Sequence, residues 1–176
     1  CYVNYGAQVS SKQKDEYTKS DVVSSSPLGN AKPFFEGKDL SRYRIMWRGL
    51  YLDYRKDTMY GPRDPLLFEN PKIVFRKISG KKDSLIVALD TEGLYCDDGL
   101  VLSVWYKVLA DTNLRVEYED YEHYDDPYLL SYLLSILASR LESYYYALRF
   151  ATGSLQGSYS HVYPQHVRSF PIRQIH

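Results

Sequence analysis

The chain has 176 residues, of which 44% are hydrophobic, and its 22 basic and 22 acidic side chains give a formal net charge of +0. This length and apolar content suffice for one folded domain, which we assign to residues 1–176. The neutral balance argues weakly against a stand-alone DNA-binding protein, and the two cysteines exclude a disulfide scaffold. Because no apolar run is long enough to span a membrane, we expect a cytoplasmic protein with no membrane partner.

The first thirty residues predict a lead-in strand followed by a mobile loop. Tyr2 to Val9 is typical of a short strand or strand pair around Gly6, whereas residues 10–30 are polar and rich in serine. We place the core of the module at residues 31–176. The chain does not begin with Met and opens inside the strand-like residues 1–3, so we expect a fragment of a longer protein.

The middle of the chain predicts a sheet. Residues 44–54 are rich in strand formers, and Gly49 marks a turn or bulge among them. Proline and glycine forbid a long regular element over residues 57–71. Four further strands are predicted, over residues 72–78, 85–89, 94–95 and 100–107. Asp97-Asp98-Gly99 predicts a turn between the last two.

One long helix is predicted near the C-terminus. Asp126 is a suitable N-cap, Pro127 a suitable first helical residue, and Gly153 a suitable end. Its apolar face recurs at helical spacing, at Leu130, Leu134, Leu137, Leu141, Tyr145 and Leu148. The predicted fold class is α+β, with a curved, mostly antiparallel or mixed sheet packed against one long C-terminal helix.

Positive charge is concentrated in one part of the chain. Residues 38–82 hold twelve Lys or Arg against five acidic residues, and residues 111–126 hold seven acidic residues against Arg115. In the run from Lys72 to Ile78, alternation predicts that Ile73, Phe75 and Ile78 face the core while Lys72, Arg76 and Lys77 stay in solvent. Cations on a strand and on a flexible Gly80-Lys81-Lys82 loop suit a phosphate backbone. An ordinary edge strand whose lysines deter aggregation explains the same pattern.

Several segments together point to a family. Three segments come first, namely residues 68–73, residues 76–79, and Asp90 with Gly93 and Tyr95. They are followed by the leucine-rich residues 128–141 and by Phe-Pro-Ile at residues 170–172. Their order resembles the TaqI-like C-terminal specificity domain of adenine-N6 DNA methyltransferases and combined restriction-modification enzymes. Residues 32–43 resemble the segment that leads into this module, so the resemblance covers residues 30 to 173.

The resemblance implies sequence recognition on double-stranded DNA. In that family, the module closes one side of a cleft over DNA while a methyltransferase domain of the parent chain flips the target adenine. S-adenosylmethionine is expected in that domain, and no cofactor is expected in this chain. The charge pattern predicts six DNA-binding residues, Arg42, Arg44, Arg76, Lys77, Lys81 and Lys82, and Tyr95 is added to them as a tyrosine near this basic face that could contact sugar or base. Lys81 and Lys82 are assigned to phosphates, and Arg76 either to a base edge or to a core salt bridge.

No catalytic or metal-binding residue is predicted in this chain. The segment Asp125-Asp126-Pro127-Tyr128 lacks one proline of the Asp/Asn-Pro-Pro-Tyr motif that binds the target amine. Helix capping already accounts for the presence of Asp126 and Pro127. A Gly-x-Gly-x-x-Gly loop is absent, and the four histidines lack metal-ligand spacing. The parent is expected to be a site-specific adenine-N6 DNA methyltransferase, with or without endonuclease activity. Two alternatives stay open: a structural or protein-interaction module that docks onto its parent chain, and a domain of a type I restriction specificity subunit.

Overall fold

The computed structural model describes residues 1–9, 18–27, 29–57, 59–112, 114, 128–151 and 159–173. Its strands are β1 (Tyr2–Tyr5), β2 (Val23–Ser24), β3 (Ala31–Phe35), β4 (Leu40–Ser41), β5 (Arg44–Ile45), β6 (Leu50–Asp53), β7 (Lys72–Arg76), β8 (Val87–Asp90), β9 (Tyr95–Cys96) and β10 (Leu100–Val104). Its α-helices are α1 (Lys19–Val22), α2 (Leu66–Glu69), α3 (Tyr128–Leu137), α4 (Arg140–Phe150) and α5 (Pro164–Arg168). Short 3-10 turns occur at Gly37–Asp39, Lys81–Asp83 and Tyr106–Asp111.

Two four-stranded sheets organise the described residues, beside a two-stranded ladder of β4 and β5. The central sheet has the order β1-β10-β7-β8, and each neighbouring pair is antiparallel. The second sheet has the order β2-β6-β3-β9 and is mixed, because β3 and β9 run parallel. The predicted α+β class with antiparallel and mixed sheets is therefore confirmed. The predicted turn at residues 97–99 is present, since Leu100 N donates to Asp97 O. It joins β9 of the second sheet to β10 of the central sheet.

The central sheet is buried on both faces. Val74 and Leu102 belong to a core shared with the second sheet, while Ile73, Phe75 and Val101 belong to a core shared with the helices. All five residues of β10 are buried, as expected for a strand covered on both sides. β7 lies between β10 and β8, so the edge-strand explanation of its lysines is wrong.

In the segment from Lys72 to Ile78, two residues differ from the prediction in their exposure to solvent. Lys72 was expected in solvent but is 0% exposed, because it shares a strand face with Val74 and Asp90 stands directly across from it on β8. Its Nζ donates to the Asp90 carboxylate and to Phe68 O. Ile78 was expected in the core but is 48% exposed. It lies two residues beyond the end of β7 and pairs with His161 in an isolated bridge, so the strand alternation no longer applies to it.

The predicted long helix is two helices. It breaks at Ala138 and Ser139, where Ser139 has an extended backbone and its Oγ accepts a hydrogen bond from Glu142 N, so it caps α4. The break rotates the buried face of α4 to Glu142 and Tyr146. Leu141, expected on the apolar face, is instead 76% exposed, and Leu148 is exposed as well.

The N-terminal region is also more regular than predicted. Within the segment interpreted as a mobile loop, α1 and β2 are present, and Val23 pairs with Leu52 of β6. Lys19 on α1 forms ion pairs with Glu36 at 2.6 Å and Asp97 at 2.5 Å. Two predicted features lie outside the described residues. They are the two ends of the long helix, at Asp126-Pro127 and at Gly153, and most of the acidic segment 111–126.

The buried ion pair gives a stability prediction. Lys72→Met should lower the free energy of unfolding by about 3–5 kcal/mol, because it leaves the Asp90 carboxylate buried without its cation. The double change Lys72→Met/Asp90→Leu should recover only part of this loss, since Glu92 N and Leu94 N then lose their acceptor. The measurement is urea-induced unfolding, with the exposed Lys56→Met as the matched control. Equal unfolding midpoints for Lys72→Met and Lys56→Met would contradict the prediction.

Candidate nucleic-acid interface

A groove with a volume of about 820 Å³ lies between the β4 region, the turn that joins β7 to β8, and α4. We name it the basic groove. Five cationic side chains line it: Arg42, Arg76, Lys81, Lys82 and Arg140. None of the described residues that line it is acidic. The exposed rings of Tyr144 and Tyr159 complete its wall. Such a wall presents positive charge and aromatic faces, which are the two surfaces that nucleic acids bind most readily.

Four of the seven predicted site residues meet in the basic groove, namely Arg42, Arg76, Lys81 and Lys82. They come from three separate stretches of chain, which the sheet brings together. Arg44 lies beside the groove, because it pairs with the groove residue Ser41 across β4 and β5, and its side chain is exposed.

Lys77 points into a different depression, of about 490 Å³, which Lys38 and the acidic Asp97 and Asp98 also line. Its Nζ lies 5.1 Å from the centre of the Tyr5 ring. This arrangement follows from the strand geometry, because Arg76 and its neighbour Lys77 project to opposite sides at the end of β7. Lys77 is therefore separated from the cluster of cations, although Arg76 lines both depressions.

Tyr95 does not lie on the surface, contrary to the prediction. It is 1% exposed, stacks on Phe68 with ring centres 4.5 Å apart, and donates a hydrogen bond to Glu69 Oε1 at 2.7 Å. Burial, followed by the nearby Glu69 carboxylate, raises the pKa of Tyr95. The same hydrogen bond, with another from Lys32, lowers the pKa of Glu69. Tyr95 is a core residue, and its apolar neighbours on β3 and α2 could not be identified from the sequence.

Arg76 is held by backbone rather than by a carboxylate. Its Nε donates to Ile78 O at 2.9 Å and its second guanidinium nitrogen to Ser79 O at 3.3 Å. Within the described ranges it has no salt bridge to an acidic side chain, so the core salt bridge considered for it is not observed. Two carbonyls therefore fix the orientation of its guanidinium at the edge of the groove.

Three further groove residues, Arg140, Tyr144 and Tyr159, were not predicted from the sequence. The first two lie on the exposed face of α4, and they project there because the helix restarts at Ser139. The signal for this restart was present, because Ser139 and Glu142 have the Ser-x-x-Glu spacing of a helix N-terminus. Glu142 itself is buried, and burial raises its pKa.

The stretch from Arg42 to Arg48 extends this basic surface beyond the groove. Tyr43, Met46 and Trp47 are its exposed apolar side chains. Trp47 is oriented by a hydrogen bond to Leu50 O and by an edge contact with Tyr51. Arg48 is engaged elsewhere, since its Nε lies 2.5 Å from Asp39 Oδ1.

In the part of the chain that the structure describes, no three His, Cys, Asp or Glu side chains are grouped for a metal ion. His166 stacks on Phe150 at 4.4 Å, and burial lowers its pKa, which is the behaviour of a packing residue. His161 contacts Tyr163 instead.

The family model described as the TaqI-like C-terminal specificity domain matches residues 32–172. The chain therefore belongs to this family. Specificity domains of this kind recognise DNA sequence in restriction-modification systems and are themselves non-catalytic. No curated protein matches the chain. Among the described helices, none has both the length and the apolar character needed to cross a bilayer.

The burial of Tyr95 gives a prediction that separates core from interface. Tyr95→Phe should destabilise the fold by about 0.5–1.5 kcal/mol, because it removes the hydrogen bond to Glu69, and it should leave affinity for duplex DNA unchanged. Tyr144→Phe is the matched control for the unfolding measurement alone, since it removes a hydroxyl from an exposed ring. Thermal unfolding and a DNA-binding titration measure the two effects. A Tyr95→Phe variant with native stability and weakened DNA binding would place this residue in the interface after all.

Proposed function

We propose that this TaqI-like specificity domain binds double-stranded DNA through the basic groove and selects the sequence on which a catalytic domain of its parent chain acts. One observation supports this most strongly. The chain is neutral overall, yet five cations line one groove with no acidic side chain among the described lining residues. Mixed charges would serve solubility better, so this separation suits a phosphate-facing surface.

The proposed roles of the cations differ with the chemistry and the contacts of their charged groups. Lys81 and Lys82 are exposed point charges on a turn and are assigned to phosphates, as is Arg42. Arg76 is the residue proposed to read a base edge, because two carbonyls fix its guanidinium. A good base contact of this kind contributes about 1–3 kcal/mol of discrimination. The exposed rings of Tyr144 and Tyr159 are positioned for sugar or base contacts.

The parent is proposed to be an adenine-N6 DNA methyltransferase, with or without endonuclease activity, acting in the cytoplasm. The support is the family membership. S-adenosylmethionine would then bind to the methyltransferase domain, and this chain would only position the DNA for base flipping. If the chain is instead a domain of a type I restriction specificity subunit, its protein partner would be different, but its groove would hold DNA in the same way.

A second function, docking onto the methyltransferase domain of the parent, is favoured by a different feature. A groove of about 470 Å³ lies on the helix side of the central sheet and is mainly apolar. Ile73, Leu133, Leu137 and Phe170 line it, with Arg168 and Arg173 among its polar residues. It shares no residue with the basic groove. Docking through apolar surface would depend little on salt, whereas DNA binding through phosphates weakens steeply as salt rises.

A salt series tests the DNA-binding proposal. Lys81→Ala/Lys82→Ala should weaken binding to a mixed-sequence duplex and reduce the slope of log affinity against log salt by about two, because each phosphate contact contributes about 0.9. The target sequence need not be known, since phosphate contacts carry no base information. Fluorescence anisotropy at several salt concentrations is the measurement.

The matched control is Lys56→Ala/Lys107→Ala, which removes two exposed lysines outside the groove and should leave the slope unchanged. If the groove variant and the control behave alike, the basic groove is not the DNA-binding surface. A wild-type chain with no salt-dependent DNA binding would favour the docking function.

A further inference from the structure

The turn that presents Lys81 and Lys82 has an unfavourable backbone. Lys82 and Asp83 both have φ of 54°, in the left-handed region that disfavours side chains with a Cβ atom. Glycine would adopt this conformation at lower cost at either position. A connection that only had to join β7 to β8 would gain nothing from two such residues in succession. Backbone strain of this kind persists where the surroundings enforce it, and it is common at functional sites.

A buried hydrogen-bond network enforces the turn. Asp83 Oδ1 accepts hydrogen bonds from Ser160 Oγ at 2.6 Å and from Ser79 Oγ at 3.2 Å. Ser160 Oγ in turn accepts one from the buried hydroxyl of Tyr146 at 3.0 Å. Both serines are buried. The Asp83 side chain is therefore directed inward to the serines, and Asp83 is not among the residues that line the basic groove.

Main-chain hydrogen bonds clamp the base of the same turn. Ser79 N donates to Ser160 O at 3.0 Å, and Val162 N donates to Lys77 O at 2.7 Å. Gly80 N donates to Ser84 O at 2.8 Å and so closes the turn. These bonds contradict the expectation of a flexible Gly-Lys-Lys loop. Tyr146 lies on α4, the helix that also carries Arg140 and Tyr144, so the network joins the two walls of the groove.

We propose that Asp83 and Ser160 are positioning residues for DNA binding, which hold Lys81 and Lys82 in a strained turn at a fixed place relative to α4. The inference rests on the proposed function of the basic groove. Fixing the lysine backbones before binding reduces the conformational entropy that is lost in the complex. The strain of the left-handed residues and the hydrogen bonds of the Asp83 carboxylate to two buried serines are then explained together, because both hold the turn that carries the two ammonium groups at the groove.

A double-mutant cycle tests this role. Ser160→Ala removes the hydroxyl that joins Tyr146 to Asp83, and it should weaken binding of the 176-residue chain to a mixed-sequence duplex about three- to tenfold. In the Lys81→Ala/Lys82→Ala background the same change should have almost no effect, because the groups it positions are gone. A role in general stability would instead cost the same factor in both backgrounds. Ser169→Ala, which removes an exposed hydroxyl bonded to His166 O, is the matched control and should not affect binding.

Substitutions at position 82 provide a test that retains the network. Lys82→Gly and Lys82→Ala lose the same charge, but glycine relaxes the left-handed strain and loosens the turn. Lys82→Gly should therefore unfold about 2–4 °C higher than Lys82→Ala and yet bind DNA about threefold more weakly, since Lys81 is then less well fixed. This inverted order of stability and affinity is not expected of a turn that is only structural.

The outcomes distinguish this inference from the function on which it rests. If Lys81→Ala/Lys82→Ala binds DNA like the wild type, the basic groove is not the interface and the proposed function fails. If that variant loses binding as expected, but Ser160→Ala costs the same factor in both backgrounds or Lys82→Gly binds as tightly as Lys82→Ala, the interface stands and the positioning role is overturned.

Discussion

Lys72 and Asp90 face each other across β7 and β8 in the middle of the core, where Lys72 is 0% and Asp90 2% exposed. Two buried charges are costly unless they lie close together and make further hydrogen bonds. Here Lys72 also donates to Phe68 O at the end of α2, and the Asp90 carboxylate accepts from Glu92 N and Leu94 N. The pair thus fixes the register of the two strands, closes the turn that leads into β9, and ties α2 to the sheet.

The position of the basic groove follows from this register. With Lys72 opposite Asp90, the antiparallel register places Phe75 opposite Val87, so the chain between them must return within the residues that hold Lys81 and Lys82. The turn therefore emerges at one end of the central sheet, where α4 crosses it and supplies Arg140. The core determines where the cations are presented, while the network around Asp83 determines how rigidly they are held. A slip of one residue would exchange the two faces of β8 and move the turn.

The sequence predicted the family, the α+β class and four of the groove cations, because these depend on segment order and on local charge. It placed Lys72 and Tyr95 wrongly for a common reason. Their partners, Asp90 and Glu69, lie 18 and 26 residues away, and only the folded sheet brings them together. The break between α3 and α4 had a local signal in Ser139 and Glu142, but the continuous run of leucines concealed it. The contribution of α4 to the groove depended on that break and was therefore missed as well.

Lysine acetylation, read by mass spectrometry with and without a duplex at low salt, tests most directly whether the basic groove is the DNA-binding surface. Lys72 serves as an internal control, because its buried ion pair keeps it unreactive as long as the chain is folded. We expect DNA to protect Lys81 and Lys82, while the exposed Lys56, outside the groove, reacts at an unchanged rate. Equal reactivity of Lys81 and Lys82 in the presence and absence of bound DNA would contradict it.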